Sequence, residues 1–464
     1  MQNAQRVTRL FPYLWLVLLI GYVLAGVEVV PFHGDESTQI YMSRDYAYQF
    51  IERDYEKLMY SETPVSPTEQ QLRLLNGTVN KYLIGLAWHS SGYTVNDINE
   101  QWDWGADWQY NQQNGHAPSA DLLQVARWPS ALLLAGSVVV MFALGRALGG
   151  RWTPYLASLY YALNPALLLN GRRAMMEGSF MFFSLLTVLA GIWLMRQPSL
   201  RRTILLGLVS GAALASKHTA LFTVAAVFAG ILLYLIYQGL RSQDDSSEVD
   251  YVLLPYLVVA AVVMGGTFFA LNPAWWNGPL ERAETVLSLR EDLLAGQSAV
   301  FGGYAGLSDQ IGGFLRQSLL VLPQYYEVEG WANVIGGSIN RYEASIWRGV
   351  SVGGNAVGGL LLCGMMAGGV WILLKPVISR VLRRQEVAAV HDWKGTAWLI
   401  GLWALTMIMT TLLLTPLEWQ RYYLPVYPAI GLIAALGLNH ALDDLRARKP
   451  AQQPSAAPTS LPEF

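Results

Sequence analysis

Asp35 and Glu36 stand side by side in the tetrapeptide His33-Gly34-Asp35-Glu36, a few residues beyond an apolar run from Phe11 to Val30. A carboxylate beside an apolar wall has its pKa raised unless a cation or hydrogen bond holds it ionised, which suits a general base acting on an acceptor hydroxyl. The same pair also fits a helix amino terminus, a cap followed by an acid in the first turn of a helix beginning near Thr38. His33 is placed either to orient Asp35 and bind substrate or simply to be solvated.

A second group is cationic. Arg172, Arg173, Lys217 and Arg421 lie at the ends of apolar runs, and Lys81 at one end of an amphipathic stretch. Guanidinium and ammonium groups suit a phosphate or pyrophosphate. Snorkelling to lipid headgroups is the alternative. Glu177 either pairs with Arg172 or Arg173 or is an interfacial acid. Aromatic residues form a third group: Trp102, Trp104, Trp108, Tyr110, Trp275 and Trp276. Belts of Trp and Tyr are expected at a membrane interface. Interleaving with Asp103, Asp107, Asn111 and Gln112 also resembles a surface that stacks on a sugar ring and bonds its hydroxyls.

The elements that must position these groups are membrane helices. The chain of 464 residues is 53% hydrophobic and 14% charged, against about a quarter charged in ordinary globular domains. Spanning a bilayer takes about 20 mostly apolar residues. Ten runs qualify: Phe11–Val30, Trp128–Leu148, Trp152–Leu169, Gly178–Met195, Thr203–Ser216, Ala220–Tyr237, Tyr251–Leu271, Val357–Leu374, Ala397–Thr415 and Tyr423–Ala441. They are continuous rather than alternating, so a membrane barrel is excluded. The first run is expected to stay as a helix, because Val27-Glu28-Val29-Val30-Pro31 lacks a small-residue cleavage pattern. Cys363 is the sole cysteine, which removes a disulfide frame and a thiolate metal site.

The expected fold is an all-α polytopic membrane protein of about ten spans, one domain over residues 1–441. Its extracytoplasmic loops would cover 31–127 and 272–354, and a disordered cytoplasmic tail 450–464. Orientation follows from charge. Arg6, Arg9, Arg146, Arg151, Arg196, Arg201 and Arg202 fall in one set of short connections, whereas acids dominate the other set. The positive-inside rule makes the first set, with both termini, cytoplasmic and puts Asp35 outside. In the first long loop, one helical face carries Ile40, Ala47, Tyr48, Ile51, Tyr55, Leu58 and Met59. A second carries Leu72, Leu75, Val79, Tyr82, Leu83 and Leu86. Both predict amphipathic helices lying along the membrane surface. The later loop predicts a helix from Glu281 to Leu294 followed by a Gly-rich stretch, and Gln243–Asp250 a solvated acidic linker. The chain shows no internal repeat of the kind that builds many transporters. It also has no phosphate loop, no His-Glu-x-x-His and no Gly-x-Ser-x-Gly.

With Asp35-Glu36 after the first helix, two further segments carry a family pattern. Gly211-Ala212-Ala213-Leu214-Ala215-Ser216-Lys217-His218-Thr219-Ala220 looks like a small-residue segment ending in Ser-Lys. Trp419-Gln420-Arg421-Tyr422-Tyr423-Leu424-Pro425 looks like a late Arg-Tyr-x-Leu-Pro element. In these features the chain resembles the GT-C superfamily of membrane glycosyltransferases, in the branch of the protein O-mannosyltransferases and lipid A aminoarabinose transferases.

The resemblance implies inverting transfer of a sugar from a polyprenyl-phosphate donor to an acceptor hydroxyl on the extracytoplasmic side, in a bacterial plasma membrane. Asp35 would be the catalytic base, with Glu36 supporting the acceptor or sharing charge. Lys217 and Arg421 would hold the donor phosphate. Arg172, Arg173 and Lys81 join them by membrane side and charge rather than by motif, and His33, Glu177, His218, Tyr422 and Trp275 complete the expected substrate-binding set. The family's His-Pro-Pro element is absent, and Asn80-Lys81-Tyr82-Leu83-Ile84-Gly85 stands in roughly its place. Expected partners are the lipid-linked donor, a protein, lipid or glycan acceptor and membrane lipids, without nucleic acid. No cofactor is implied; a carboxylate-held divalent metal is compatible, but no spacing marks a site for one. The alternatives are a transporter or flippase of an anionic lipid or glycolipid, and a noncatalytic scaffold. Spans nearly free of charge, with polar groups crowded at one face, weigh toward the enzyme.

Overall fold

The computed structural model describes residues 2–242, 253–383 and 391–447. The linker 243–250 and the tail 450–464 lie outside the described residues. Within them every regular element is helical and there is no strand. Seven helices are long and apolar enough to cross a membrane: Ala120–Leu148, Glu177–Arg196, Ala220–Leu240, Leu253–Leu271, Ala356–Lys375, Gly395–Leu414 and Val426–Ala447. The chain is an all-helical integral membrane protein.

The three remaining expected spans are helical but fall short of that standard. Leu10–Ala25 is the apolar part of the helix Gln2–Ala25. The run 152–169 breaks into Thr153–Leu163 and Pro165–Gly171, because Pro165 disfavours helical backbone at Asn164, whose side chain then caps the second helix. Leu200–Ser216 has 17 residues.

At the centre lies Ala120–Leu148, packed against Gln2–Ala25, Thr78–Ser90, Thr153–Leu163 and Glu177–Arg196. Leu134, Val138, Met141, Leu185, Val188 and Leu432 are among the buried residues of the main core. This helix begins eight residues before the expected span at Trp128, so the first long loop ends at Ser119 rather than Arg127.

That loop is more broken than its periodicity predicts. The first amphipathic stretch becomes the helix Gly34–Met42, a turn of π-helix at Ala47–Glu52 and a 3-10 turn at Tyr55–Lys57. The second divides at Asn76-Gly77 into Pro67–Leu75 and Thr78–Ser90. Gly77 is needed there: a Cβ on it would lie 1.9 Å from the Ser216 carbonyl oxygen. Backbone rather than a flexible side chain stands in the way. Gly77→Ala is therefore expected to cost about 3 kcal/mol or more, above the usual range for overpacking, and to lower the thermal unfolding midpoint measured in detergent. The Gly-rich part of the later loop also folds further than expected, into Leu307–Leu315 and Ala332–Ala344 after the long helix Pro279–Phe301.

Loop contacts sort the connections onto two ends of the bundle. At one end, Arg196 reaches Ala147 O and Thr396, and Asn439 accepts the Trp152 N–H. At the other, Thr78 bonds Asn272, Lys217 bonds Glu177 and Arg421 bonds Asp35. All the residues of chemical interest gather at this second end.

Candidate functional site

The helix Gly34–Met42 starts in a capping box: His33 N–H donates to Glu36 Oε2 at 3.1 Å, and the His33 ring accepts from the backbone of Asp35. Because His33 Nδ1 accepts that N–H at 3.1 Å, the hydrogen-bond network puts the ring proton on Nε2, which donates to Glu327 at 2.6 Å. The helix thus begins four residues ahead of Thr38, and His33 rather than Asp35 is its cap, with Glu36 as the acid of the first turn. The cap fixes the backbone and turns the Asp35 side chain away from the buried Glu36.

Asp35 and Glu36 have opposite environments. The Glu36 side chain is fully buried and receives Arg127 Nε at 2.7 Å, Arg127 Nη2 at 2.8 Å and the Ala174 N–H at 2.9 Å. Burial opposes its charge, but the Arg127 guanidinium outweighs it and holds the carboxyl below the usual range. Asp35 keeps 27% of its side chain exposed and receives a hydrogen bond from Arg421 Nη1. The Arg421 guanidinium also lies 3.8 Å from Glu327. Burial works against the Arg421 charge, and the Asp35 and Glu327 carboxylates more than restore it. Glu327 is in turn held well below the ordinary carboxylate range, its burial outweighed by His33 and Arg421.

Glu327 was not singled out from sequence, nor was Arg127. Glu327 reaches the site because Gln324 and Gln420 exchange backbone and side-chain hydrogen bonds at 2.7 and 3.2 Å, tying its segment to the one that bears Arg421. Arg173 clamps the same region, donating to Pro31 O at 3.1 Å and Tyr325 O at 2.9 Å. Arg172 is buried and directed elsewhere, onto Val23 O, Tyr22 O, Trp347 O and the Tyr342 hydroxyl.

Glu177 pairs with Lys217, at 3.0 Å, rather than with Arg172 or Arg173 as the charges alone suggested. Its second oxygen is buried without a partner among the described residues. Lys81 joins none of these groups: it is buried against Asp45, which also takes a bidentate bond from Arg73 at 2.8 and 3.0 Å.

On the far side of Arg421, Tyr422 donates to Gln297 at 2.9 Å, and Arg290 comes close enough for its charge to act on Arg421. Arg290 has no acid within ion-pair distance among the described residues. Gln297 and Arg290 sit seven residues apart on the helix Pro279–Phe301, so both face the site. His218 lies within reach of the same charge; burial, helped by Arg290, drives its imidazole down to about 4, leaving it neutral at pH 7. Its ring meets Trp275 edge-on at 6.0 Å. A cleft of about 550 Å³ opens beside Arg290, walled by Leu287, Glu291, Leu294, Ala295, Ser298 and Pro416. A repeat of Leu280, Leu287 and Leu294 with Arg290 on the adjoining flank was the signal in the sequence that could have found it. No group of three metal-ligating side chains occurs among the described residues.

The site therefore joins a partly exposed carboxylate, Arg421 held by two acids, Arg290 with no ion pair among the described residues beside a largely apolar cleft, and a Lys-Glu pair. A carboxylate so placed can take a proton, and the cations can hold an anionic leaving group.

The family model for dolichyl-phosphate-mannose-protein mannosyltransferases matches residues 76–271. No curated protein matches the chain in sequence. Among solved structures, the Archaeoglobus fulgidus oligosaccharyltransferase in its apo form aligns over 94% of this chain and 51% of its own, at 13% identity and a TM-score of 0.51. ArnT from Cupriavidus metallidurans, bound to undecaprenyl phosphate, aligns over 92% of this chain and 60% of its own, at 13% identity and a TM-score of 0.46. The S. cerevisiae Pmt1-Pmt2 complex bound to the sugar donor aligns over 56% and 32%, at 16% identity and a TM-score of 0.38. The chain thus spans between about a third and three fifths of the length of these proteins. The chain shares the helical fold of the archaeal enzyme and matches the mannosyltransferase family model over residues 76–271.

Proposed function

We propose that the chain moves a sugar from a polyprenyl-phosphate-linked donor to an acceptor hydroxyl, on the extracytoplasmic side of the membrane and with inversion at the anomeric carbon. The observation that carries this reading is the contact of Asp35 with Arg421, beside Arg290, which has no acid within ion-pair distance among the described residues. In the proposed step Asp35 takes the hydroxyl proton of the acceptor as its oxygen bonds to the anomeric carbon, while the bond from that carbon to the phosphate oxygen breaks. The departing polyprenyl phosphate gains one negative charge, which Arg290, Arg421 and Lys217 offset.

Charge balance assigns an order. Without ligand, Arg421 is neutralised by Asp35 and Glu327, and Lys217 by Glu177. Arg290 is the cation open to an arriving phosphate. Once seated, the phosphate competes with Asp35 for Arg421 and releases the base for the acceptor. The apolar walls of the neighbouring cleft suit the first prenyl units of the lipid. Arg172, Arg173 and Lys81, engaged by protein groups, act in this reading as positioning residues, and Glu36 holds the helix that presents Asp35.

Purified protein incubated with polyprenyl-phosphate sugars and an acceptor mixture is expected to release polyprenyl phosphate. Passage of intact donor across vesicles without cleavage would show the flippase reading instead. Arg290→Ala is expected to raise the donor KM by about 10- to 100-fold, the worth of a hydrogen bond to a charged group, with a smaller change in kcat. An unaltered donor KM removes Arg290 from the phosphate site.

A further inference from the structure

The aromatic loop beside Asp35 is not used by the step above, yet it is built and held. Asn111, fully buried, accepts the Asp103 N–H at 2.8 Å and donates to Asp103 O and Asp107 O, both at 2.9 Å. These three bonds close the turn that carries Trp104. Trp104 stacks on Trp331 with centroids 5.6 Å apart and planes 15° from parallel, while Trp102 and Trp108 brace Trp331 edge-on. Trp331 is buried, but Trp104 remains 47% exposed, so one indole is presented on a rigid support.

This platform adjoins the base. A Cβ on Gly34, the residue before Asp35, would meet the ring tips of Trp331 at 2.9 Å and Trp104 at 3.0 Å. The His33 ring lies 5.5 Å from Trp331 and 6.3 Å from Trp104. Asp103, exposed and next to Trp104 in the chain, accepts the Gly105 N–H through Oδ1. Its Oδ2 is unengaged among the described residues.

We propose that Trp104, backed by Trp331, is an acceptor subsite that takes a neutral saccharide; the proposal rests on the glycosyltransferase reading and names its acceptor class. A pyranose offers an apolar C–H face to an indole and hydroxyl donors to a carboxylate at the ring's edge, which is the chemistry that Trp104 and Asp103 present together. An anionic acceptor would meet Asp103 and Asp107, neither of which has a cation within ion-pair distance among the described residues.

The test uses the full-length protein in nanodiscs and a panel of neutral disaccharide methyl glycosides, followed by saturation-transfer NMR. Ring protons of at least one glycoside are expected to receive saturation in the wild type and in Trp104→Phe, and to lose about tenfold in Trp104→Ala and severalfold in Asp103→Asn. Asp35→Asn should bind the glycoside as the wild type does while transferring about 10²- to 10⁴-fold more slowly. With donor present, Trp104→Ala should raise the acceptor KM at least tenfold and leave the donor KM in place. No binding by any glycoside, equal binding by Trp104→Ala, or a Ser/Thr peptide serving as the better Trp104-dependent acceptor each overturns the subsite. Loss of donor cleavage in the wild type would instead strike the glycosyltransferase reading, so the two failures are distinguishable. Trp104→Phe guards against a folding artefact, because it keeps the ring face and the packing on Trp331.

Discussion

Asparagine in place of Asp35 is expected to reduce transfer by about 10²- to 10⁴-fold, the range assigned to a positioned general base. Asp35→Asn preserves the shape of the side chain and removes its capacity to take a proton at neutral pH. It also removes the negative charge that holds Arg421 in the ligand-free site. The variant is therefore expected to bind donor at least as tightly as the wild type, with the whole deficit in kcat. Measuring both constants separates this from a folding defect, which would lower the amount of active protein without shifting the donor KM. Wild-type turnover by Asp35→Asn would remove the base from the proposed step, whatever became of the phosphate site.

The neighbouring carboxylate should behave in the opposite way. Glu36 and Arg127 form a fully buried pair, and removing either partner leaves the other charge uncompensated. Such a loss costs about 3–5 kcal/mol, enough to threaten the fold of a marginally stable domain. Arg127→Ala and Glu36→Ala are each expected to lower the thermal unfolding midpoint sharply, and a double replacement by apolar residues of similar size to recover much of it. A midpoint unchanged in Arg127→Ala would contradict the pair's structural role. The pH dependence has a defined sign. The folded Glu36 carboxyl lies below its ordinary value, so its contribution is fully present above the unfolded glutamate pKa of about 4.3. Stability from this pair is lost as the pH falls below that value toward the depressed one, and Glu36→Gln should flatten that acid limb.

The two predictions share a cause. Adjacent residues at the start of a helix point about 100° apart around its axis, so one carboxylate of Asp35-Glu36 faces the bundle while its neighbour stays partly exposed against Arg421. His33 selects which, because the capping box uses Glu36 as the reciprocal acceptor. Arg127 then enters from the central helix and Arg421 from a 3-10 turn near the far end of the described chain.

Sequence by itself determined the membrane class, the helical character of every expected run, the placement of Asp35 just past the first helix and the presence of Arg421 and Lys217 at the ends of later ones. These follow from hydrophobicity and spacing over neighbouring residues, which a linear chain displays directly. Tertiary structure alone decided the partners: Glu36 with Arg127, Glu177 with Lys217 and Lys81 with Asp45. Charge pairing depends on distances between segments up to hundreds of residues apart, as Asp35 and Arg421 are. Coulomb energy depends on separation and burial, neither of which a residue's type records. Helix packing sets both, and so it alone made one carboxylate a buried strut and left its neighbour open to chemistry.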